Sequence, residues 1–321
     1  MRSDPPERQA GVLRLSCSPR ALAAAAVYAA AYGFSLSRLS SAPGFETGAA
    51  LAVMLGFGLG FSLAAWAATL GTVPQAVPVG NPRVGMAAIS AYLVVFAVLF
   101  LGWGLSALRA VVTAEPLQSV AVLAAKLVVS VLIPAWLFTR LGRSWREQLA
   151  PKSLGPGAGR VLVVMGVLLL ALQLTVGRGA GRIAALDVPV PVILALTPLA
   201  FAWMCLEAGL PEEFLFRALF QSNAAAWLRS ETAGVVAMAL VFGLAHAPGY
   251  VLRGAYAMEG MAAAPDPLSA AAYSIAVVSP IGLMFGVLWA RTRNLWLVVL
   301  LHGWADLVPN LAPFIETWTG R

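Results

Sequence analysis

VPVPVILALTPLAFAWMCLEAGLPEEFLFRALFQSNAAAWLR, residues 188–229, decides the fold class. Its first half, 188–206, carries no charged residue. A run of about 20 apolar residues is what a helix needs to cross a hydrocarbon core roughly 30 Å thick. Gly209-Leu210-Pro211 interrupts the stretch, and four ionisable residues, Glu207, Glu212, Glu213 and Arg217, follow or flank the interruption. Further apolar runs lie near 21–37, 48–72, 84–108, 117–139, 160–177, 233–247, 271–290 and 295–312. They are long and continuous, unlike the alternating segments of about ten residues in an outer-membrane barrel. The fold class is therefore all-α, a polytopic membrane helix bundle of eight or nine transmembrane helices. Internal Pro and Gly do not oppose this, because membrane helices tolerate both.

Composition agrees. Of 321 residues, 60% are hydrophobic and 11% are Asp, Glu, Lys or Arg, with a mean hydropathy of +0.84. A soluble domain carries about 25% charged residues, so an ordinary water-soluble enzyme is excluded. Disorder, which needs low hydrophobicity, is excluded too. The net charge of +7 comes from basic residues in short connections, not from a basic run interleaved with aromatics. No nucleic-acid partner is expected; the lipid bilayer is. Cys17 and Cys205 are too few for a disulfide framework or a cysteine zinc site. The Arg-bearing leader before 21–37 resembles a signal peptide, but the many spans behind it favour a first transmembrane helix.

Lys and Arg in short loops orient a membrane protein. With nine spans and the N-terminus inside, thirteen of the 21 basic residues fall on the inner side and six on the outer. Arg140, Arg143, Arg146, Lys152 and Arg160 make the 140–160 connection the largest contributor. Its Pro and Gly residues also mark a boundary between an N-terminal helix group and the rest. The expected organisation is a cytoplasmic tail at 1–20, N-terminal transmembrane helices at 21–187, a second helix core at 188–312 and a C-terminal tail at 313–321.

Ionisable residues inside apolar spans are expensive and are candidates for function. Most gather late in the chain. In Pro211-Glu212-Glu213-Phe214-Leu215-Phe216-Arg217, Pro and acids suit a helix start, which is the plain structural reading. On an α-helix Glu213 and Arg217 are i and i+4 and share a face. Glu212 lies five residues from Arg217, about 140° around the axis, and has no local partner. Such a carboxylate is available as a general base or acid. His246 closes Phe242-Gly243-Leu244-Ala245-His246 near a helix end, where a histidine also serves as an interfacial anchor. His302 and Asp306 are i and i+4 in His302-Gly303-Trp304-Ala305-Asp306, so Asp306 is placed to fix the His302 tautomer. A structural pair or a proton relay fits those two residues as well. Lys126, mid-span in 117–139, is expected to pair with Glu207, to line the cavity, or to snorkel.

EEFLFR at 212–217, FGLAH at 242–246 and HGWAD at 302–306 resemble the EExxxR, FxxxH and HxxxN/D motifs of the CPBP family. These are intramembrane proteases related to type II CAAX-prenyl endopeptidases. The resemblance covers about 188–312 and implies a glutamate-type endopeptidase. It makes Glu212 the base that activates water and His246 a residue that helps hold that water. It makes His302 and Asp306 the pair that steadies the oxyanion, with Glu213 and Arg217 as a supporting ion pair. Asn is common at the position of Asp306; an ionised carboxylate cannot donate to an oxyanion, so Asp306 is either protonated or orients His302.

Zinc takes His and carboxylate ligands, but the HExxH helix of zinc peptidases is absent. No metal and no cofactor is expected; zinc is the disfavoured alternative. The expected substrate is a membrane-embedded or membrane-anchored protein. Other function classes for the same residues are a peptide-binding scaffold or immunity protein without catalysis, and a proton-relay transporter. The Ala-rich, Arg-over-Lys composition points to a bacterial inner membrane. The orientation has a direct check. In a chain lacking Cys17, cysteines placed at Ala10 and Ser153 should both resist an impermeant thiol reagent added to intact cells; labelling of both reverses the topology.

Overall fold

The computed structural model describes residues 18–320 except 75, 76, 78, 150–156, 256, 257, 259, 260 and 262. Most of the 1–20 tail, Cys17, Lys152 and, of the 140–160 boundary, Pro151, Gly155 and Pro156 lie outside the described residues. Among those described there is no strand, and nine helices are long and apolar enough to cross a membrane. They are α1 (Pro19–Ser40), α2 (Thr47–Ala68), α3 (Pro82–Val111), α4 (Leu117–Arg140), α5 (Ala158–Thr175), α6 (Val190–Leu228), α7 (Glu231–Arg253), α8 (Pro267–Thr292) and α9 (Leu295–Thr319). The chain is an integral membrane protein with an all-α polytopic fold.

Helix starts follow from capping chemistry. The Ser18, Asn81, Ser230, Asp266 and Asn294 side chains each accept an amide of the first turn that follows. Pro19, Pro82 and Pro267 sit next to their caps, where a missing N–H costs nothing. Two reversals share one design. Arg229 and Arg293 take the left-handed conformation, φ 51° and 50°, and the next residue, Ser230 or Asn294, caps the following helix. The reversals are also bound together, by an ion pair between Arg293 and Glu231 and by Arg293 Nη1 donating to Ser222 Oγ at 3.0 Å.

Three expectations change. Gly209-Leu210-Pro211 does not break its stretch: α6 runs continuously for 39 residues, about 58 Å at 1.5 Å per residue. Pro211 cannot donate to the carbonyl four residues back, and the backbone accommodates this with wide π-turns at Cys205–Gly209 and Glu213–Gln221. His246 does not end its helix, because α7 continues through Pro248 to Arg253. Residues 313–319 are not a tail: Phe314 and Ile315 are buried against α6, so α9 continues to Thr319.

The centre of the bundle is α8 and α9, whose most apolar windows are 67% and 61% buried, against 33% or less for every other span. Without a hydrophobic drive between helices in lipid, close approach depends on small residues. Gly209 of α6 faces the Val299 carbonyl of α9, and Gly303 of α9 faces the Cys205 backbone of α6. A methyl at Gly303 would lie 2.9 Å from Cys205 N and 3.0 Å from its Cα, and backbone cannot yield easily. Gly303→Ala should therefore destabilise the protein by about 1–3 kcal/mol, read as a lower Tm in detergent. Gly33→Ala, where nothing lies within 4 Å, should not.

Candidate active site

The π-turn after Pro211 brings Glu212, Glu213 and Arg217 of α6 against α9, while α7 and α8 supply aromatic rings. Glu213 is the centre. Its Oε1 lies 2.6 Å from His302 Nδ1 and 3.2 Å from Arg217 Nη1, and both Glu213 and Arg217 are fully buried. The i, i+4 pair expected from the sequence is present. From Glu213 onward the turns are the wide i→i+5 kind, and Arg217 pairs with Glu213 and not with Glu212. Its guanidinium is held by charge and by two rings, 4.2 Å from the Phe242 centroid and 5.4 Å from that of Phe285. Such contacts favour a desolvated cation.

His302 is oriented twice over. Its ring stacks on Phe285 at 5.0 Å with 27° between planes, and its Nδ1 meets the Glu213 carboxylate. A carboxylate accepts, so Nδ1 carries a proton. The orienting role expected of Asp306 thus falls to Glu213. Nε2 is left 3.6 Å from Glu212 Oε2 and 3.5 Å from Asp306 Oδ2. Glu212 therefore has a neighbour that its own helix could not reveal.

On α7, His246 Nδ1 donates to the Phe242 carbonyl at 2.8 Å, which leaves Nε2 free to accept. Phe242 packs edge-on against His246 at 4.9 Å and against Phe216 at 5.3 Å. Phe242 thereby links His246 to Arg217.

A cavity of about 520 Å³ is lined by Glu212, His246, Glu207 and Lys126. Lys126 does two of the things expected of it, pairing with Glu207 and lining the cavity. Phe96, Phe100, Leu101 and Leu105 of α3 form an apolar wall, and Arg109 and Arg253 border one end. His302 and Asp306 are not among the lining residues; His302 reaches Glu212 from within the packed core. Among the described residues, no group of three or more His, Cys, Asp or Glu is arranged to hold a metal ion. Phe285 and the α3 wall carried no sequence signal, because apolar residues on a buried span all look alike.

Residues 194–308 match the family model described as Type II CAAX prenyl endopeptidase Rce1-like. The segment is an Rce1-like domain of the CPBP/CAAX protease family. It covers just over a third of the chain and holds all seven motif residues, from Glu212 to Asp306. At the level of the family, the activity is that of a protease. No curated protein and no solved structure matches the chain. Lys126 and the α3 wall lie outside the Rce1-like segment, so the cavity is completed by the N-terminal helices.

Removing the Glu213 charge strands Arg217 in an apolar core, and breaking a buried pair costs about 3–5 kcal/mol. Glu213→Gln should lower the Tm sharply. Arg217→Met together with Glu213→Gln should recover part of the loss, because the double change leaves no buried charge unpaired. A double variant no more stable than Glu213→Gln alone would show that the pair is not what Glu213 contributes.

Proposed function

We propose that the chain is a glutamate-type intramembrane endopeptidase acting on a membrane-embedded or membrane-anchored protein. The observation that carries the reading is Glu212, which opens on the cavity with His302 Nε2 at 3.6 Å behind it. Glu212 takes a proton from a water, the water attacks the scissile carbonyl, and the protonated Glu212 then passes its proton to the leaving amine. His246, with Nε2 unspent, accepts a hydrogen bond from that water. In its doubly protonated form His302 donates Nδ1–H to Glu213 and offers Nε2–H to the oxyanion. Asp306 Oδ2, 3.5 Å from Nε2, stabilises that imidazolium by its charge through the reaction. Glu213 and Arg217 keep the ring in place. No step uses a metal or another cofactor.

The apolar α3 wall suits a lipid-modified or transmembrane substrate segment. The reading places the protein in a bacterial inner membrane with its N-terminus cytoplasmic. The test is cleavage of an internally quenched, farnesylated peptide ending in a CAAX tetrapeptide by purified protein in detergent with excess chelator. Wild type should cleave. Glu212→Gln keeps the shape, should retain the wild-type Tm, and should lose about 10²–10⁴-fold in kcat. Full activity in Glu212→Gln would remove it as the base, and activity abolished by the chelator would restore a metal mechanism.

A further inference from the structure

The turn of α9 that carries Asp306 is held by a side chain from a different helix. Gln173 of α5 is buried, 8% exposed. Its Nε2 donates to the Trp304 carbonyl at 3.2 Å, and its Oε1 accepts the Val308 amide at 3.2 Å. Trp304 O and Val308 N–H are the acceptor and donor that an α-helix joins directly, as i and i+4. One side-chain amide therefore serves both ends of a single helical hydrogen bond. The next residue is Pro309, which has no N–H and crowds the carbonyl of Ala305. A side chain entering the i→i−4 ladder is an established cause of a local bend. A second contact fixes the same place: Trp304 Nε1 donates to the Gly166 carbonyl of α5 at 2.9 Å. One residue past Pro309, Asn310 Nδ2 donates to the Asp306 carbonyl at 2.8 Å.

Asp306 sits in the middle of this bridged turn. Its Oδ2 is 3.5 Å from His302 Nε2, one turn earlier on α9. We infer that Gln173 is a positioning residue: its amide keeps the Trp304–Val308 turn open and so sets Asp306 against His302. Gln173 touches none of the reacting groups and lies outside the Rce1-like segment. The inference rests on the peptidase reading for its catalytic consequence, but not for its structural one.

The experiment compares Gln173→Leu and Gln173→Met with wild type, alone and combined with Asp306→Ala, using the farnesylated quenched peptide. Misplacement of a group by about 1 Å costs up to 10²-fold in rate. The single variants should therefore lose about tenfold or more in kcat with KM unchanged, since no cavity residue is altered. In the Asp306→Ala background the same changes should have no further effect on kcat, because the group they position is gone. An equal loss in both backgrounds, or no loss in either, overturns the proposal. So does failure of both variants to survive extraction, which would make Gln173 a packing residue. Amide exchange supplies an arm independent of catalysis. With Pro309 still opposing closure, the Val308 amide should exchange faster in both variants than in wild type. If wild type does not cleave the peptide while Val308 exchange rises as expected, the peptidase reading with this substrate falls and the bridging role stands. If wild type cleaves and Val308 exchange is unchanged, the bridging role falls alone.

Discussion

One carboxylate, that of Glu213, is shared by a guanidinium and an imidazole in a place no solvent reaches. Burying a charge costs several kcal/mol unless it is closely paired. Glu213 therefore cannot be a passive neighbour. Its charge keeps Arg217 tolerable in the core, and its hydrogen bond decides which nitrogen His302 turns toward Glu212. The surroundings are arranged to serve this contact: Phe242 and Phe285 cover the guanidinium, Phe285 also stacks on the imidazole, and Gly209 and Gly303 let α6 and α9 come near enough for the contact to form.

The bilayer explains why such an arrangement is built from helix interiors. In lipid every backbone group must be satisfied within the protein, so redirecting a side chain by loosening a helix leaves fewer groups to satisfy than breaking it into a loop. This chain instead loosens its helices while keeping them helical. Pro211 is accommodated by π-turns on either side of Glu212, and just before Pro309 the Trp304 carbonyl and the Val308 amide are both met by Gln173. Wide or bent turns of this kind recur at functional sites because they redirect side chains without exposing the backbone.

Much of this was legible in the sequence. Uncharged runs of membrane length define the bundle, because length and apolarity are the whole requirement for a span. The charges inside those runs mark Glu212, Glu213, Arg217, His302 and Asp306, because lipid makes each one costly. What was not legible concerns which helix meets which. Treating Glu212 as unpartnered followed from its own helix, and the neighbour that corrects this is ninety residues away, at His302. The partner of His302 Nδ1 is hidden for the same reason: it is Glu213, on another helix. Extending the last span past residue 312 required knowing that Phe314 and Ile315 pack against α6. Phe285, Gln173 and the α3 wall are ordinary residues made specific by contact alone.

The ends of the cavity carry a consequence for compartment. The Arg293–Glu231 pair ties together two tight reversals, the starts of α7 and α9. Arg109 and Arg253, which border the cavity, stand instead where α3 and α7 finish. A helix that starts on one face finishes on the other, so the cavity reaches toward the face opposite the tied reversals. With the proposed orientation that face is extracytoplasmic. The hydrolytic water would then be drawn from outside the cell, and the protein would read its substrates after they have been exported, not while they are being made.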